Sequence, residues 1–377
     1  MNPRFWLALH ALVVLVPLVA LLTGAPDARL FGSDVPPQLP ALTVEGWRGE
    51  KVQPAFQAWF EAKIGLRGVM VRTDNSAQVY VLGQAKPAGR FVVGHDDTLF
   101  VDDDLFYMAL PESTLPAVLG KLDLLAERLG RVQSKLAARG KKLVVVLAPS
   151  KTVIYPEAVP RGFRRRELRS DVTVHEGIRA SFARHHVAFG DGDALLSGKA
   201  GADRDLVFTR TGRHWTPLGA CLVLRAALAD GPITPTCAYA MTTAKWESDP
   251  EFDIYRVLNV WRAGAPSVQV ATLDQRGKPD PAGAAARPRT LFVGTSFMWM
   301  LVDVLRPLIE APIAFYYNQT VYDVSETLQP LEPVDPESPR WAGYALDRDL
   351  YVIEILEPYA YGDEIPAFLT TLEARLE

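Results

Sequence analysis

The sequence is short of the features that mark many specialised proteins. It has two cysteines, Cys221 and Cys237, and six histidines among 377 residues. Two cysteines so spaced fit no zinc pattern, and His95 has no Cys or His nearby, so no metal site is expected. No cofactor is expected either. Positive charge is scarce: 40 Lys and Arg face 44 Asp and Glu, and the net charge is -4. The longest basic run is Arg164-Arg165-Arg166. That balance points away from nucleic acid. Internal repeats and low-complexity tracts are absent, which argues against a solenoid. The hydrolase elbow Gly-x-Ser-x-Gly is absent too, because Met298 stands at its second glycine. What remains is an ordinary globular composition, 49% hydrophobic and 22% charged.

One long apolar run is present. From Phe5 to Pro26 there is no formal charge, and Leu, Val and Ala dominate. About 22 helical residues span ~33 Å, enough to cross a bilayer. A signal peptide cleaved near Thr23-Gly24-Ala25 is the rival reading, but Pro26 follows at once and the apolar core is long. Residues 1–26 therefore read as an uncleaved anchor, residues 27–52 as a Pro/Gly-rich linker with Pro36, Pro37 and Pro40, and residues 53–377 as one domain. Either reading sends the chain out of the cytoplasm, and Arg4 on the short side agrees. In an oxidising compartment the two cysteines pair or stay free; spacing does not decide.

The domain alternates helical and extended patterns. Pro111 to Arg139 reads as an amphipathic helix ended by Gly140, and Lys142 to Ala148 as a strand buried on both faces. Helices are expected over Glu167–His186, Thr216–Ala229 and Glu364–Leu376, and strands over Val187–Phe189, Ile313–Tyr317 and Leu350–Leu356. Residues Met241 to Pro288 show no clear period, and Gly277 to Arg287 read as a surface loop. The alternation predicts a three-layer α/β fold around a mostly parallel sheet. At the carboxyl ends of such strands lie Pro149-Ser150-Lys151 and Gly294-Thr295-Ser296. The run Thr290 to Val293 leads into Gly-Thr-Ser, and a helical pattern follows. A serine at a strand-to-helix turn faces open amides that can stabilise an oxyanion.

A serine nucleophile needs a base. His10 lies in the apolar run, His175 in a helix, and His185-His186 at that helix's end. His214 precedes Trp215-Thr216-Pro217, with Thr216 as N-cap and Pro217 as first helical residue. The helix dipole there disfavours imidazolium and keeps the ring able to accept a proton.

His214-Trp215-Thr216-Pro217-Leu218-Gly219-Ala220, followed by the strand and Gly294-Thr295-Ser296-Phe297, resembles the alginate O-acetyltransferase family (AlgJ/AlgX). Val93 to Phe100, Pro149-Ser150-Lys151 with Tyr155-Pro156, and Val352 to Glu357 agree in order. The resemblance covers about residues 50 to 377. It implies an SGNH-hydrolase-like fold with permuted motif order, preceded by a transmembrane helix. It implies Ser296 as nucleophile, His214 as base, and transfer of acetyl groups to hydroxyls of an exported polysaccharide. The donor would be a membrane-bound O-acyltransferase partner, and the domain would sit in the periplasm, tethered once to the inner membrane. The family pattern is Asp-x-His-Trp, and here Gly212 takes the Asp position. Asp191, Asp193, Asp203 and Asp205 lie upstream as substitutes, and Gly212→Asp is expected to raise the rate. Arg213 is no substitute, since a cation disfavours imidazolium. Asn318, Tyr317, Trp215 and Lys151 are candidates for oxyanion or substrate contacts, and Trp299 and Tyr322 for a glycan groove. Glu354 and Glu357 read as structural carboxylates. The alternatives are a weakened polysaccharide-binding or scaffold module of an export complex, and a carbohydrate acetylesterase.

Overall fold

The computed structural model describes residues 3–32, 38, 41, 43–49, 51–82, 91–108, 110–163, 173–199, 201–246, 248–261, 268–274, 287–318, 320–325, 329–331 and 335–377. Pro36, Pro37, Pro40, the run Arg164–Arg166 and the loop stretch 277–286 lie outside the described residues.

The chain divides into two units. One comprises Met1–Val93, Trp246–Ser248 and Phe252–Pro266. Within it, helix α1 (Pro3–Thr23) is long and apolar enough to cross a membrane by length and composition. The Asp27 carboxylate accepts from Gly68 N at 2.8 Å and Val69 N at 3.1 Å, at the start of the helix Arg67–Ser76. The Asn259 amide bonds Phe31 through both its backbone groups, and Arg72 donates to Val260 O at 2.9 Å. The late stretch 252–261 is thus stitched to residues far earlier in sequence.

The other unit, Gly94–Lys245, Asp249–Glu251 and Ser267–Glu377, holds the main sheet. Its strands are β1 (Lys142–Ala148), β2 (Phe189–Asp191), β3 (Arg289–Gly294), β4 (Glu310–Tyr316), β5 (Thr320–Asp323), β6 (Gln329–Pro330) and β7 (Leu350–Leu356). The order across the sheet is β6-β5-β4-β3-β7-β1-β2. From β4 to β2 every pairing is parallel, and β5 and β6 add antiparallel strands at one side. The three-layer α/β expectation holds.

Strand β7 is central because it is apolar on both faces. Tyr351, Ile353 and Ile355 join a core with Leu143, Val145 and Leu147 of β1 and with helices α2 (Leu115–Ala137), α3 (Val174–Arg184) and α6 (Glu364–Arg375). Helices α4 (Pro217–Ala227) and α5 (Met298–Leu305) pack on each other, with α4 also against β1 and β2 and α5 against β3. The heptad-like spacing of Leu122, Leu125, Leu129, Val132 and Leu136 gives α2 the apolar face that the sequence pattern announced.

Strand β2 falls at Phe189–Asp191, two residues later than the apolar run suggests, and this brings Asp191 to the carboxyl edge. The stretch without period contains an antiparallel pair, Tyr239–Thr243 with Gln269–Leu273. The first of these strands is exposed throughout, which explains its lack of apolar alternation. Cys221 and Cys237 form a disulfide that ties α4 to the approach of this pair.

Candidate active site

Strand β3 carries the chain to Gly294 at the carboxyl edge, and Thr295-Ser296-Phe297 turns it into α5. The turn is fixed from beneath. Glu354 of β7 accepts from Thr295 N at 2.6 Å and from Thr295 Oγ1 at 2.9 Å. A Cβ on residue 294 would lie 2.5 Å from Glu354 Oε2, so only glycine lets the carboxylate this close. Ser296 is left half-buried at the end of the turn.

His214 arrives from a separate segment. Phe208 and Trp215 form an isolated antiparallel bridge, and Thr209 donates to His214 O through N and Oγ1. The Thr216 hydroxyl caps α4 by accepting from Gly219 N, with Pro217 opening the helix. Trp215 Nε1 donates to Phe297 O at 3.1 Å, which fastens the histidine loop to the serine turn. Phe297 packs against both Trp215 and the His214 ring, with the His214 centroid 4.9 Å away. His214 Nε2 then lies 2.8 Å from Ser296 Oγ. Two segments 82 residues apart are brought to hydrogen-bond contact by an aromatic tie.

The remaining candidates separate. Tyr317 follows β4 with φ 48°, and Asn318 with φ 53°. For a bulky residue the left-handed region is an outlier, costing about 1–3 kcal/mol, and such strain gathers at functional sites. Tyr317 N donates to Gly294 O at 3.0 Å, and its side chain interacts with the Ser296 hydroxyl. Burial, above all, raises its phenol pKa, while Arg213 opposes that. Among the described residues Asn318 makes no side-chain hydrogen bond to Ser296 or His214. Trp299, Tyr316 and Tyr322 cluster on the same side, with ring centroids 5.3 to 6.3 Å apart.

Two candidates need correction. Trp215 is fully buried and presents no face to a ligand; its size and its one donor serve the tie to Phe297. Lys151 is 1% exposed, so it neither meets a sugar nor lies in solvent. Its ammonium donates to Arg210 O at 2.6 Å and Gly212 O at 2.7 Å, and so holds up the loop that carries His214.

Position 212 is also settled by packing. A Cβ there would lie 2.2 Å from Pro250 O and 2.7 Å from Thr209 Oγ1. No side chain fits, so the expected gain from Gly212→Asp is withdrawn. Of the upstream carboxylates, Asp191 and Asp193 surround His175, while Asp205 accepts from Tyr155 and Arg210.

Sequence reasoning missed a polar network under the site. Arg213 donates to Tyr359 Oη at 2.8 Å, and Tyr359 donates to Asp103 Oδ2 at 2.6 Å. The guanidinium also attracts buried Asp104. Burial pushes the Asp104 carboxyl up to about 6 against the pull of Arg213 and Lys151. Glu354 is pushed up to about 7 by burial, which outweighs its bonds from Thr295. Its Oε1 has no hydrogen-bond partner among the described residues. Beside it is a cavity of 210 Å³ lined in part by Gly294, Tyr317 and Tyr359. The one available signal was the carboxylate itself: a lone Glu inside the apolar run Leu350–Leu356.

The family described as SGNH hydrolase-like domain, acetyltransferase AlgX, matches residues 91–320. A Pseudomonas aeruginosa protein described as probable alginate O-acetylase AlgJ is 25% identical over 312 residues, 75% of this chain and 73% of its own. A Pseudomonas syringae pv. tomato protein of the same description is 30% identical over 166 residues, 42% of this chain and 39% of its own. The O-acetyltransferase domain of Pseudomonas putida AlgJ aligns at TM-score 0.45 and 20% identity, over 76% of this chain and 99% of that one. The matched family segment contains Ser296, His214 and Gly212; β7, with Glu354, lies beyond it. This chain belongs to the family of SGNH hydrolase-like acetyltransferases typified by AlgX.

Proposed function

We propose that this chain is a membrane-anchored, exported O-acetyltransferase that moves acetyl groups onto hydroxyls of a polysaccharide. The single observation that carries this reading is the 2.8 Å contact between His214 Nε2 and Ser296 Oγ. In the first half-reaction Ser296 Oγ attacks the acetyl carbonyl while its proton passes to His214 Nε2. The tetrahedral oxyanion faces the amides that open α5 and the Tyr317 hydroxyl. The donor's leaving group departs with the proton, leaving acetyl-Ser296. A sugar hydroxyl then attacks, His214 takes its proton, and that proton returns to Ser296 Oγ as the ester forms.

The relatives described as alginate O-acetylases support an exported, acidic polysaccharide as acceptor. The aromatic group Trp299, Tyr316 and Tyr322 offers apolar faces on which sugar rings stack. The acetyl donor is a membrane-bound O-acyltransferase partner. Residues 1–26 tether the chain to the inner membrane with the domain outside the cytoplasm. The Cys221–Cys237 disulfide supports that oxidising side. Residues 27–52 act as linker and 53–377 as the acting domain.

A second reading is favoured by one observation. Gly212 leaves no room for the family's acid at that position, so either another group orients His214 or the module is a weak catalyst that binds and presents polysaccharide.

The test is release of acetate from a small aryl acetate by the full-length chain in detergent. Ser296→Ala and His214→Ala are each expected to lower the rate by roughly 10³-fold or more, and the double variant by no more than the worse single. A wild-type rate equal to Ser296→Ala would leave the scaffold reading.

A further inference from the structure

Away from Ser296, at the β1–β2 end of the same sheet edge, several side chains converge on one imidazole. His175 is the second residue of α3, whose start is locked by a capping box between Thr173 and Glu176. Asp191 ends β2 and accepts from Ala194 N at 3.0 Å, and Asp193 lies in the short helix that follows. Glu357 comes just after β7. His175 Nε2 is 3.5 Å from Asp191 Oδ2, and Nδ1 is 3.5 Å from both Asp193 Oδ2 and Glu357 Oε1.

Three observations separate this group from a surface ion-pair cluster. His175 Nδ1 is buried and makes no hydrogen bond among the described residues. Glu357 is 1% exposed and fixed from the protein side, by the Tyr107 hydroxyl at 2.5 Å and Ser150 N at 3.2 Å. A cavity of 440 Å³ opens onto His175, Asp193 and Glu357 together.

Charge points the same way. Three carboxylates face one ring, and Arg179 reaches Asp191 alone, at 3.5 Å. Among the described residues, even a protonated ring and Arg179 leave one negative charge over. Glu357 is buried and Asp191 and Asp193 are partly so, and carboxylates withdrawn from water need a cation or a metal. The His175, Asp193 and Glu357 ligand atoms all lie within 4.8 Å of one another. Their 3.5 Å spacings to Nδ1 are close to the ~3.4 Å edge of a tetrahedron with bonds of ~2.1 Å. One imidazole nitrogen with two carboxylate oxygens suits Zn²⁺ better than Mg²⁺ or Ca²⁺, which favour all-oxygen sets.

We propose that His175 Nδ1, Asp193 and Glu357 bind one divalent transition-metal ion of the Zn²⁺ type. Asp191 accepts from the His175 Nε2–H and orients the ring. The ion joins the start of α3, the turn after β2 and the turn after β7. It acts as a structural cross-link at the edge of the sheet, separate from the acyl chemistry at Ser296. This departs from the expectation of no metal.

The full-length chain in detergent, free of any affinity tag, is stripped with EDTA and titrated with Zn²⁺. About one equivalent is expected to bind, with a rise in melting temperature. His175→Gln and Asp193→Asn are each expected to weaken binding roughly tenfold or more. A cooperative melt in EDTA shows that each variant is folded, and the mild Asp193→Asn serves if His175→Gln fails that check. Absence of Zn²⁺ binding by wild type, or unchanged binding in a folded variant, overturns the proposal and leaves an ion-paired imidazolium as the cluster's role.

Discussion

Glu354 and Glu357 stand three residues apart at the end of β7, both buried, and each fastens the turn that follows a neighbouring parallel strand. Glu354 accepts from Thr295 N, just past β3; Glu357 accepts from Ser150 N, just past β1. The same device is built on both flanks of the central strand, with different results. On the β3 flank the next side chain, Ser296, is left half-buried at the edge. On the β1 flank the next side chain, Lys151, turns inward to the backbone of the loop that carries His214. One flank presents the proposed nucleophile and the other supports the loop of its proposed base.

The largest loss is expected at the supported loop. Gly212 O accepts from Lys151, and its Cα faces the Pro250 carbonyl too closely for any side chain. Gly212→Ala is expected to cost at least about 3 kcal/mol, because backbone rather than a flexible side chain must move. Thermal or denaturant melting reads this loss, and ester hydrolysis should fall with it. Gly212→Asp should behave the same way or worse. A gain in rate from Gly212→Asp would show that the loop yields and that an acid at 212 can serve His214.

The β3 flank breaks more mildly and in a way that separates shape from charge. Glu354→Ala removes the acceptor of Thr295 N and Oγ1, and a buried orphan donor costs about 1–3 kcal/mol. It also frees the turn that aims Ser296, so the rate should fall more than the melting point suggests. Glu354→Gln keeps an acceptor for Thr295 and should retain most activity. Equal rates in Glu354→Ala and wild type would show that the Thr295 turn is held without Glu354.

Much of this was legible in the sequence, for physical reasons. Lys142–Ala148 and Leu350–Leu356 are buried on both faces, so their apolar runs match the strands residue for residue. Thr216 and Pro217 are local helix-start chemistry, and they placed the start of α4 correctly. Ser296 and His214 could be paired only because a strand-to-helix turn and a helix start both leave a marker nearby. What was not legible depends on contacts distant in sequence. Lys151 reads as a solvated lysine until the loop 210–212 is seen above it. Trp215 reads as a core anchor or a sugar platform until the contact with Phe297 and its burial decide for the core. His175 reads as a helical histidine because its carboxylates come from residues 16, 18 and 182 positions further on.

The last expected effect concerns protons and tests both flanks at once. Glu354 is raised from an ordinary 4.5 to about 7 by burial. His175 is raised from 6.5 to about 10: burial lowers it, but the facing carboxylates of Asp191 and Glu357 raise it by more. A group whose pKa rises on folding holds its proton longer in the native state. Stability from Glu354 is therefore full below 4.5 and declines as pH rises through about 7; that from His175 is full below 6.5 and declines as pH rises through about 10. In EDTA the melting temperature should fall in two overlapping stages from acid to alkaline pH. Glu354→Gln should flatten the first stage and His175→Gln the second, each leaving the other in place. Saturating Zn²⁺ should restore stability on the alkaline side alone, because a metal ion replaces the proton at His175 and has no counterpart at Glu354. If His175→Gln leaves the alkaline stage unchanged, the imidazole does not hold that proton, and the charge of the β1–β2 cluster must be balanced by another group.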